Sequence, residues 1–325
     1  MKFLVTGAAG FIGMHMCIKL LEKNFSVVGI DNLNSYYSNK LKKDRLKILK
    51  RYKKFKFFKV DIIKKKKKKK IFSSFPLTHV IHLAAQAGVR YSIDKPDVYT
   101  NTNLVGTFNI LDLSKKYKIK HLLMASSSSV YGGNKETPFK ENTKVDNPIS
   151  YYAATKKSNE IMAHSYSHLF RLPITCLRFF TVYGPWGRPD MSLFLFTKAI
   201  LENKFIKIFN KGKMHRDFTY IDDIVESILK LSLRKFKDKN KKTPYQIINI
   251  GSDRPVNLMT YIKIIEKNLQ KKAKKIFMPM QPGDVSFTHA SLKQLKKLIK
   301  YQPKTKLEDG IRNFLDWYQE YYGKK

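Results

Sequence analysis

The sequence predicts an α/β protein in which a doubly wound parallel sheet is followed by a smaller C-terminal domain. Apolar strand patterns alternate with helical patterns as far as Gly132, and such alternation is typical of parallel sheets. A glycine-rich turn separates the first strand from the first helix, as is common in sheets of this kind. The length of 325 residues and the apolar content of 43% suit two packed units with a sizeable core.

The first strand is predicted at Lys2–Thr6, and a helical pattern runs from the glycine turn to about Lys23. Gly7, Gly10 and Gly13 stand three residues apart in that turn. Glycines between a strand and a helix let the backbone approach a pyrophosphate, which the N-terminus of the helix then holds. The turn therefore predicts a Rossmann-type dinucleotide site, although glycines alone also simply make turns.

The second predicted strand, Ser26–Asp31, ends in a carboxylate. An acid about 20 residues after such a glycine turn accepts hydrogen bonds from the hydroxyls of the adenosine ribose. Because the Asp31 carboxylate would repel a 2′-phosphate, the sequence favours NAD over NADP as the cofactor.

The remaining elements follow from apolar runs and helical periodicity. We predict further strands at 55–62, 78–85, 121–125, 174–180, 205–209 and 245–251. We predict further helices at 96–117, 152–171, 193–203, 221–233, 259–271 and 307–322. Residues 236–243 are interpreted as a charged surface insertion, and the seven lysines at 64–70 as a solvated helix or loop.

A serine run and a Tyr–Lys pair form the candidate catalytic centre. The serines at 126–129 follow a buried strand, so they lie at its carboxyl end, where open α/β sheets bind ligands. Tyr152 and Lys156 are four apart on a predicted helix and share one face. The ammonium group favours the phenolate, so Tyr152 can act as a base near neutral pH. The same spacing occurs at Tyr36 and Lys40, so the context rather than the spacing identifies Tyr152.

The composition predicts a cytoplasmic protein with no membrane insertion, no disulfide framework and no metal. Apolar runs stay short of the ~18 residues of a membrane helix, and glycines interrupt the N-terminal apolar stretch before a secretory segment can form. Cys17 and Cys176 are expected to be small buried hydrophobes. His164 and His168 are four apart, but Ser165 stands where a zinc protease carries Glu.

The formal net charge of +39 would ordinarily suggest nucleic acid or an anionic membrane surface. The excess is lysine rather than arginine, it is spread over predicted helix surfaces and loops, and no known nucleic-acid module accompanies it. A codon bias toward Lys, Asn and Ile accounts for this composition. We therefore expect no nucleic-acid partner, and at most some electrostatic steering of anionic ligands.

Taken together, the glycine turn, the serine run and the Tyr–Lys pair resemble the extended short-chain dehydrogenase/reductase superfamily, and within it the NAD-dependent nucleotide-sugar 4-epimerases. The resemblance runs over nearly the whole chain. It implies that Ser127, Tyr152 and Lys156 are catalytic, that Tyr152 takes the proton of the sugar's C4 hydroxyl, and that Lys156 lowers the pKa of Tyr152 and anchors the nicotinamide ribose. The implied cofactor-binding residues are Gly7, Gly10, Phe11, Ile12, Gly13, Asp31, Asn32, Asp61, Ile62, Leu83, Ala84, Ala85, Asn103, Tyr152 and Lys156.

Later motifs resemble the UDP-glucuronate 4-epimerases in particular. Thr181 stands where glucose epimerases have Asn, and Gln281 where they have Arg. The resemblance implies that Ser129 and Thr181 hydrogen-bond the carboxylate of the sugar, while Arg188 contributes charge or shapes its loop. The implied substrate-binding residues are Ser128, Ser129, Thr181, Arg188, Phe209, Arg216 and Asp284.

The resemblance also implies an arrangement of domains and a partner. Residues 1–180, with a returning segment at about 217–252, would form the NAD-binding domain. Residues 181–216 and 253–325 would form the UDP-sugar-binding domain. Relatives are commonly homodimers through two helices of the cofactor domain, so a homodimer is expected here. His82 is expected to be a satisfied core histidine, and Asn103 to support the backbone of the active site.

Three alternatives stay open at this point. A UDP-glucose or UDP-N-acetylglucosamine 4-epimerase would use the same catalytic residues. A nucleotide-sugar 4,6-dehydratase needs an Asp–Glu pair where this chain has Ser128 and Ser129, and decarboxylating relatives carry a Glu in this stretch. A non-catalytic nucleotide-sensing or RNA-binding protein could use the fold as a scaffold, but the intact Ser–Tyr–Lys set argues against it.

Overall fold

The computed structural model describes residues 1–236 and 243–323. The predicted insertion at 236–243 therefore falls largely outside the described residues. The strands are β1 (Lys2–Thr6), β2 (Ser26–Asp31), β3 (Phe55–Lys59), β4 (His79–His82), β5 (His121–Ser127), β6 (Ile174–Phe179), β7 (Thr181–Tyr183), β8 (Phe205–Ile208), β9 (His215–Tyr220), β10 (Tyr245–Ile250), β11 (Pro255–Asn257) and β12 (Lys274–Phe277). The α-helices are α1 (Phe11–Glu22), α2 (Asn39–Leu49), α3 (Lys65–Ser74), α4 (Tyr91–Asp94), α5 (Pro96–Tyr99), α6 (Thr107–Lys116), α7 (Tyr151–Phe170), α8 (Ser192–Leu201), α9 (Ile221–Ser232), α10 (Leu258–Leu269), α11 (Lys293–Ile299) and α12 (Leu307–Tyr322).

Seven strands form the large sheet in the order β10-β6-β5-β4-β1-β2-β3, and neighbouring strands pair in parallel. Parallel strands covered by helices on both faces are buried on both faces, so they carry continuous apolar runs. Strand β1 is an example, because Phe3, Leu4 and Val5 are all fully buried. The predicted doubly wound α/β fold is confirmed.

Two of the predicted strands end earlier than the sequence suggests. Strand β3 stops at Lys59 rather than residue 62, and β4 stops at His82 rather than residue 85. Beyond β3 the chain turns, and the Asp61 carboxylate accepts a hydrogen bond from the amide of Ile63 at 2.8 Å. The predicted strands were too long because apolar residues that line a cleft look, in sequence, like strand residues.

The single helix predicted at 96–117 is interrupted. A π-helical turn, Thr100–Gly106, joins α5 to α6, and such turns are found mostly at functional sites. The turn buries Asn103 completely. At its end, a Cβ on Gly106 would lie 2.6 Å from a methyl carbon of Ile62, so a larger residue there would require the Ile62 side chain to move.

The remaining strands form two small sheets beyond the carboxyl edge of the large one. Strand β7 follows β6 after a single residue and pairs in parallel with β9, which pairs antiparallel with β11. Strand β12 pairs in parallel with β8. Strand β10 returns to the edge of the large sheet beside β6. None of the helices in the described part of the chain is both long and apolar enough to cross a membrane.

The lysine run lies in helix α3, and the expectation that it is solvated is wrong at Lys68. This side chain is fully buried, and its ammonium group donates to the carbonyl oxygen of Ile62. Burial lowers the pKa of Lys68 to about 8. A long lysine stem packs like an aliphatic chain, and the carbonyl of Ile62, in the turn after β3, supplies the acceptor that the ammonium group needs.

Several other expectations about single residues are confirmed. Cys17 and Cys176 are free and buried. The ring of His82 bonds to the hydroxyls of Thr6 at 2.7 Å and Thr107 at 3.1 Å, and burial lowers its pKa to about 3. His82 is therefore a neutral core histidine whose two nitrogens both have partners.

A buried ion pair fixes helix α7 to the large sheet. Arg178 on β6 donates from Nε and Nη2 to the two carboxylate oxygens of Glu160 on α7, both at 2.9 Å. The two side chains are 1% and 2% exposed. Ser126 donates to the same carboxylate at 2.6 Å. The pair therefore holds α7 and the ends of β5 and β6 in a fixed relation.

Candidate active site

A cleft of about 770 Å³ opens at the carboxyl ends of the parallel strands. Most predicted site residues line it: Gly7, Gly10, Phe11, Ile12, Gly13, Asp31, Asn32, Ile62, Leu83, Ala84, Ala85, Ser127, Ser128, Ser129, Tyr152, Lys156, Thr181, Arg188 and Asp284. Four predicted residues are not in this lining, but each contacts a residue that is: Asp61, Asn103, Phe209 and Arg216.

The serine run forms the turn that ends strand β5. Ser127 is the last strand residue, and its hydroxyl accepts a hydrogen bond from the amide of Ser129 at 3.1 Å, which starts a short 3₁₀ turn. The Ser127 and Ser129 hydroxyls are also 3.1 Å apart. Ser126 bonds to the buried Glu160. The turn thus leaves Ser127, Ser128 and Ser129 as the hydroxyl donors at the centre of the cleft.

Tyr152 lies in the first turn of α7, which Ser150 caps by accepting a hydrogen bond from the amide of Ala153 at 3.1 Å. Burial raises the pKa of the Tyr152 phenol above its ordinary value of 10.0, while a hydrogen bond with Ser127 and the charge of Arg188 pull it down. The lowering of the Tyr152 pKa that Lys156 is expected to cause is therefore not seen. The arrangement still brings the base, the serine hydroxyl and a cation to one place.

Lys156 explains why the expected effect on Tyr152 is missing. Its ammonium group donates to the carbonyl oxygen of Ala125 at 2.8 Å and lies 6.0 Å from the centre of the Tyr152 ring. Burial lowers the pKa of Lys156 to about 8, because an ammonium group is poorly solvated in the protein interior. The ammonium group is thus anchored to the sheet rather than to the phenol.

The glycine turn is sterically obligatory. Gly7 has a φ of +71°, and a Cβ there would lie 2.9 Å from the backbone nitrogen of Ala84. A Cβ on Gly13 would lie 2.0 Å from the carbonyl oxygen of Gly7. The backbone therefore folds tightly over the N-terminus of α1, where the free amides can hold a phosphate.

Asp31 closes the nucleotide end of the cleft. Its carboxylate accepts hydrogen bonds from the amide of Leu33 at 2.8 Å and of Ala9 at 3.1 Å, and burial raises its pKa. Each carboxylate oxygen has capacity for further donors. Beside it, the Asn32 amide donates to Asp61 at 2.9 Å. The glycine turn and this acid together fit a dinucleotide whose ribose hydroxyls meet Asp31.

Asn103 hydrogen-bonds to the backbone of the loop after β4, which lines the cleft. Its side chain accepts a hydrogen bond from the amide of Gln86 at 2.8 Å and donates to the carbonyl of the same residue at 3.0 Å. It also donates to the hydroxyl of Thr155 on α7 at 3.1 Å. The π-helical turn therefore ties the loop after β4 to the helix that carries Tyr152.

Arg188 lies in the loop after β7 and is already paired. Its guanidinium Nε donates to Asp190 at 3.0 Å, and the second carboxylate oxygen of Asp190 accepts from Nη2. Thr181, at the start of β7, lines the same end of the cleft. Arg188 thus combines a charge at the cleft with a contact that shapes its own loop.

Two more arginines at the cleft, Arg216 and Arg90, have interaction partners. Arg216 donates to Asp284 at 2.7 Å, so the pair reaches the cleft through the carboxylate of Asp284. Arg90 lies 5.5 Å from the centre of the Phe209 ring, within the range of a cation–π contact. These residues offer aromatic and cationic groups of the kind that a base and a diphosphate require.

Sequence reasoning missed several residues that line the cleft: Tyr36, Tyr37, Lys42 and Asp190. For Asp190 a signal existed, since an acid two residues after an arginine in one loop can pair with it. For Tyr36 the sequence shows only the Tyr–Lys spacing to Lys40, which does not indicate a catalytic role, and no neighbouring residue in the sequence places it at the cleft. Among the described residues, no group of three His, Cys, Asp or Glu side chains could hold a metal ion.

The profile of the NAD dependent epimerase/dehydratase family matches residues 3–251 of this chain. The chain is 49% identical to Protein CapI of Staphylococcus aureus over all of both chains. It is 44% identical to a probable UDP-glucuronate 4-epimerase of Rhizobium meliloti, over 99% of this chain and 98% of that one. A crystal structure of the UDP-glucuronic acid 4-epimerase from Bacillus cereus, in complex with UDP-glucuronic acid and NAD, matches with a TM-score of 0.91 at 35% identity, over 99% and 100% of the chains.

We expect Lys156→Met to change the pH dependence of stability. Because the pKa of Lys156 is about 8 in the folded chain against an ordinary 10.5, its charge destabilises the folded state below pH 8, and this penalty fades as the pH rises to 10.5. The midpoint of thermal unfolding of the variant, relative to wild type, should therefore fall between pH 7 and pH 10. A difference that stays constant over this range would contradict a buried ammonium group.

Proposed function

This chain belongs to the NAD dependent epimerase/dehydratase family, and we propose that it interconverts UDP-glucuronate and UDP-galacturonate with NAD as its cofactor. One observation carries the proposal: hydroxyl donors and a cation surround the sugar end of the cleft beside Tyr152. Relatives over almost the full length of the chain are named UDP-glucuronate 4-epimerases, and so is the matching structure from Bacillus cereus.

The cofactor site is built by residues of the large sheet. Gly7, Gly10 and Gly13 form the turn over which the pyrophosphate lies, and Asp31 accepts hydrogen bonds from the adenosine ribose. A carboxylate at Asp31 disfavours the additional phosphate of NADP. NAD supplies the acceptor for the C4 hydride of the sugar and gives the hydride back, so the overall reaction involves no net oxidation.

The chemistry at C4 is assigned to three side chains. The hydrogen bond with Ser127 and the charge of Arg188 favour the ionised form of Tyr152 against the effect of burial. Once ionised, Tyr152 takes the proton of the C4 hydroxyl while Ser127 hydrogen-bonds the same oxygen. Lys156, fixed by the carbonyl of Ala125, anchors the nicotinamide ribose. The 4-keto sugar then turns over in the cleft, and Tyr152 returns the proton after the hydride has come back to the opposite face.

The uronate is favoured by the groups that meet the sugar. A buried carboxylate must be met by donors, because an unpaired anion is poorly tolerated away from water. Ser129 and Thr181 supply hydroxyl donors, and Arg188 supplies a cation. Ser128 and Ser129 stand where a 4,6-dehydratase would need its acid–base pair, so elimination at C6 has no general acid in this turn.

The UDP moiety is assigned to the other end of the cleft. Arg216 and Asp284 form an ion pair there, and the ring of Phe209 lies under Arg90. A guanidinium group matches the oxygens of a diphosphate, and an aromatic ring suits the uracil. The region assigned to the UDP-sugar-binding domain, which comprises 181–216 and 253–325, contains Arg216, Asp284 and Phe209.

A second copy of the chain is the proposed partner. The π-helical turn and α6 expose Val105 and Phe108, and the neighbouring helix α7 exposes Ile161, Leu169 and Phe170. Exposed apolar side chains that adjoin on two packed helices commonly mark an interface. The cytoplasmic location stays a prediction of the sequence.

We expect light scattering to give twice the chain mass of 38.0 kDa. Ile161→Glu places a charge in the proposed interface and should reduce the mass to that of the monomer, whereas Gln319→Glu, at an exposed position of α12, serves as a control for the charge. A monomeric wild type at micromolar concentration would contradict the homodimer.

We expect Tyr152→Phe to retain NAD and to lower the epimerisation rate by ~10²–10⁴-fold, the usual effect of removing an acid–base catalyst. The phenol oxygen alone accepts the C4 proton, and the ring of phenylalanine preserves the packing. Rates are measured by chromatography of the UDP-sugars, and bound NAD by absorbance after gel filtration. A variant that keeps more than about a tenth of the wild-type rate contradicts the assignment of the base.

The substrate is tested with a panel of UDP-sugars resolved by chromatography. We expect turnover of UDP-glucuronate to exceed that of UDP-glucose and UDP-N-acetylglucosamine. Thr181→Val and Arg188→Met should lower kcat/KM for the uronate by about tenfold or more, and for a neutral UDP-hexose by less, because a positioned donor discriminates only for the group that it pairs with. Equal or faster turnover of a neutral sugar would move the chain to a neighbouring epimerase class.

A further inference from the structure

Three side chains form a bridge between the two halves of the cleft. The hydroxyl of Tyr36, in the loop after β2, donates to one carboxylate oxygen of Asp190 at 3.1 Å. The other carboxylate oxygen accepts from Nε of Arg188 at 3.0 Å. Resting on the proposed function, we propose that Asp190 is a positioning residue: it holds Arg188 in place and offsets its charge before the uronate enters, and Tyr36 fixes Asp190 from the cofactor side.

The charge state of Asp190 supports this role. Burial would raise the pKa of its carboxyl group, but the charge of Arg188, hydrogen bonds from Arg188 and one from Tyr36 bring the pKa below its ordinary value of 3.8. Asp190 is therefore an anion across the physiological pH range. The side chains of Arg188 and Asp190 are 22% and 32% exposed, so water screens the attraction between them only in part.

The loop that carries the pair is held at a second place. The guanidinium group of Arg45, which is fully buried, donates to the carbonyl oxygens of Trp186 and Gly187 in this loop. It also donates to the carbonyl of Ala9 in the glycine turn at 2.9 Å. Arg45 thus fixes the backbone before Arg188, and Asp190 fixes the side chain.

The consequence concerns how the cleft recognises an anion. A guanidinium group that donates twice to one carboxylate has a defined plane and direction. With its charge offset by Asp190, Arg188 attracts the uronate less strongly than a free arginine would, but it presents its remaining donors from a fixed position. Asp190 therefore weakens the binding of the uronate in the ground state but improves the orientation of Arg188. Removing its charge should lower KM through the first effect and lower kcat through the second.

The experiment compares wild type, Asp190→Asn, Arg188→Met and the double variant Asp190→Asn/Arg188→Met. We expect Asp190→Asn to lower KM for UDP-glucuronate by about twofold to tenfold, since an ion pair of partial exposure has lost its anion, and to lower kcat because Arg188 is no longer held. The inhibition constant of UDP-glucose, which lacks the carboxylate, should change by less than about twofold. In the Arg188→Met background the same substitution should leave KM for the uronate unchanged.

Two outcomes overturn the inference while leaving the proposed function intact. One is a KM for UDP-glucuronate that is unchanged or raised in Asp190→Asn. The other is an effect on KM that persists in the Arg188→Met background, because Asp190 would then act through loop structure and not through Arg188. A wild type that does not turn over UDP-glucuronate contradicts the proposed function, and this inference with it.

Tyr36→Phe provides a second variant that keeps the packing of the ring. It removes only one donor to Asp190 and leaves the charge of the carboxylate, so KM should stay within about twofold of wild type, while kcat should fall because Asp190 and Arg188 are less firmly held. Thermal unfolding and bound NAD are measured for every variant. If Asp190→Asn fails to fold, Tyr36→Phe decides: an unchanged kcat in this variant overturns the bridge.

Discussion

The buried ion pair between Glu160 and Arg178 is the interaction on which the active site depends. It joins the helix that carries Tyr152 and Lys156 to the strand that leads into Thr181. Replacing a buried pair by apolar side chains is often tolerated, but removing one partner alone typically costs about 3–5 kcal/mol, because the other charge stays buried without compensation. The pair is therefore better evidence of a fixed geometry than of added stability, and the epimerase needs that geometry at C4 of the sugar.

Much of the fold and part of the site could be predicted because the signals are local in sequence. The spacing of Gly7, Gly10 and Gly13 follows from the turn that they make, and the Tyr–Lys pair follows from helical periodicity. Burial and long-range contacts have no such signal. Lys68 was expected to be solvated, and Tyr36 bonds to a residue 154 positions away. The direction of the Tyr152 pKa was missed for the same reason, since desolvation depends on what the fold places around the phenol.

Positive charges at the cleft are arranged differently from those on the surface. The chain as a whole carries a formal net charge of +39, yet two arginines at the cleft have carboxylate partners: Arg188 has Asp190, and Arg216 has Asp284. Lys156 is close to losing its proton at moderately alkaline pH. Recognition of an anionic sugar nucleotide therefore rests on where a few donors point, while the surface lysines act at most on the rate of encounter.

The π-helical turn makes the length of the segment from α5 to α6 part of the site. A π-helical turn takes up one residue more than an α-helix does over the same stretch, so deleting one residue within Thr100–Gly106 would restore a regular helix and leave α5 and α6 in place, but it would change the direction of the side chains within the turn. Asn103 would then no longer face both Gln86 and Thr155. The number of residues between α5 and α6 thus determines whether the Asn103 side chain reaches both of its partners.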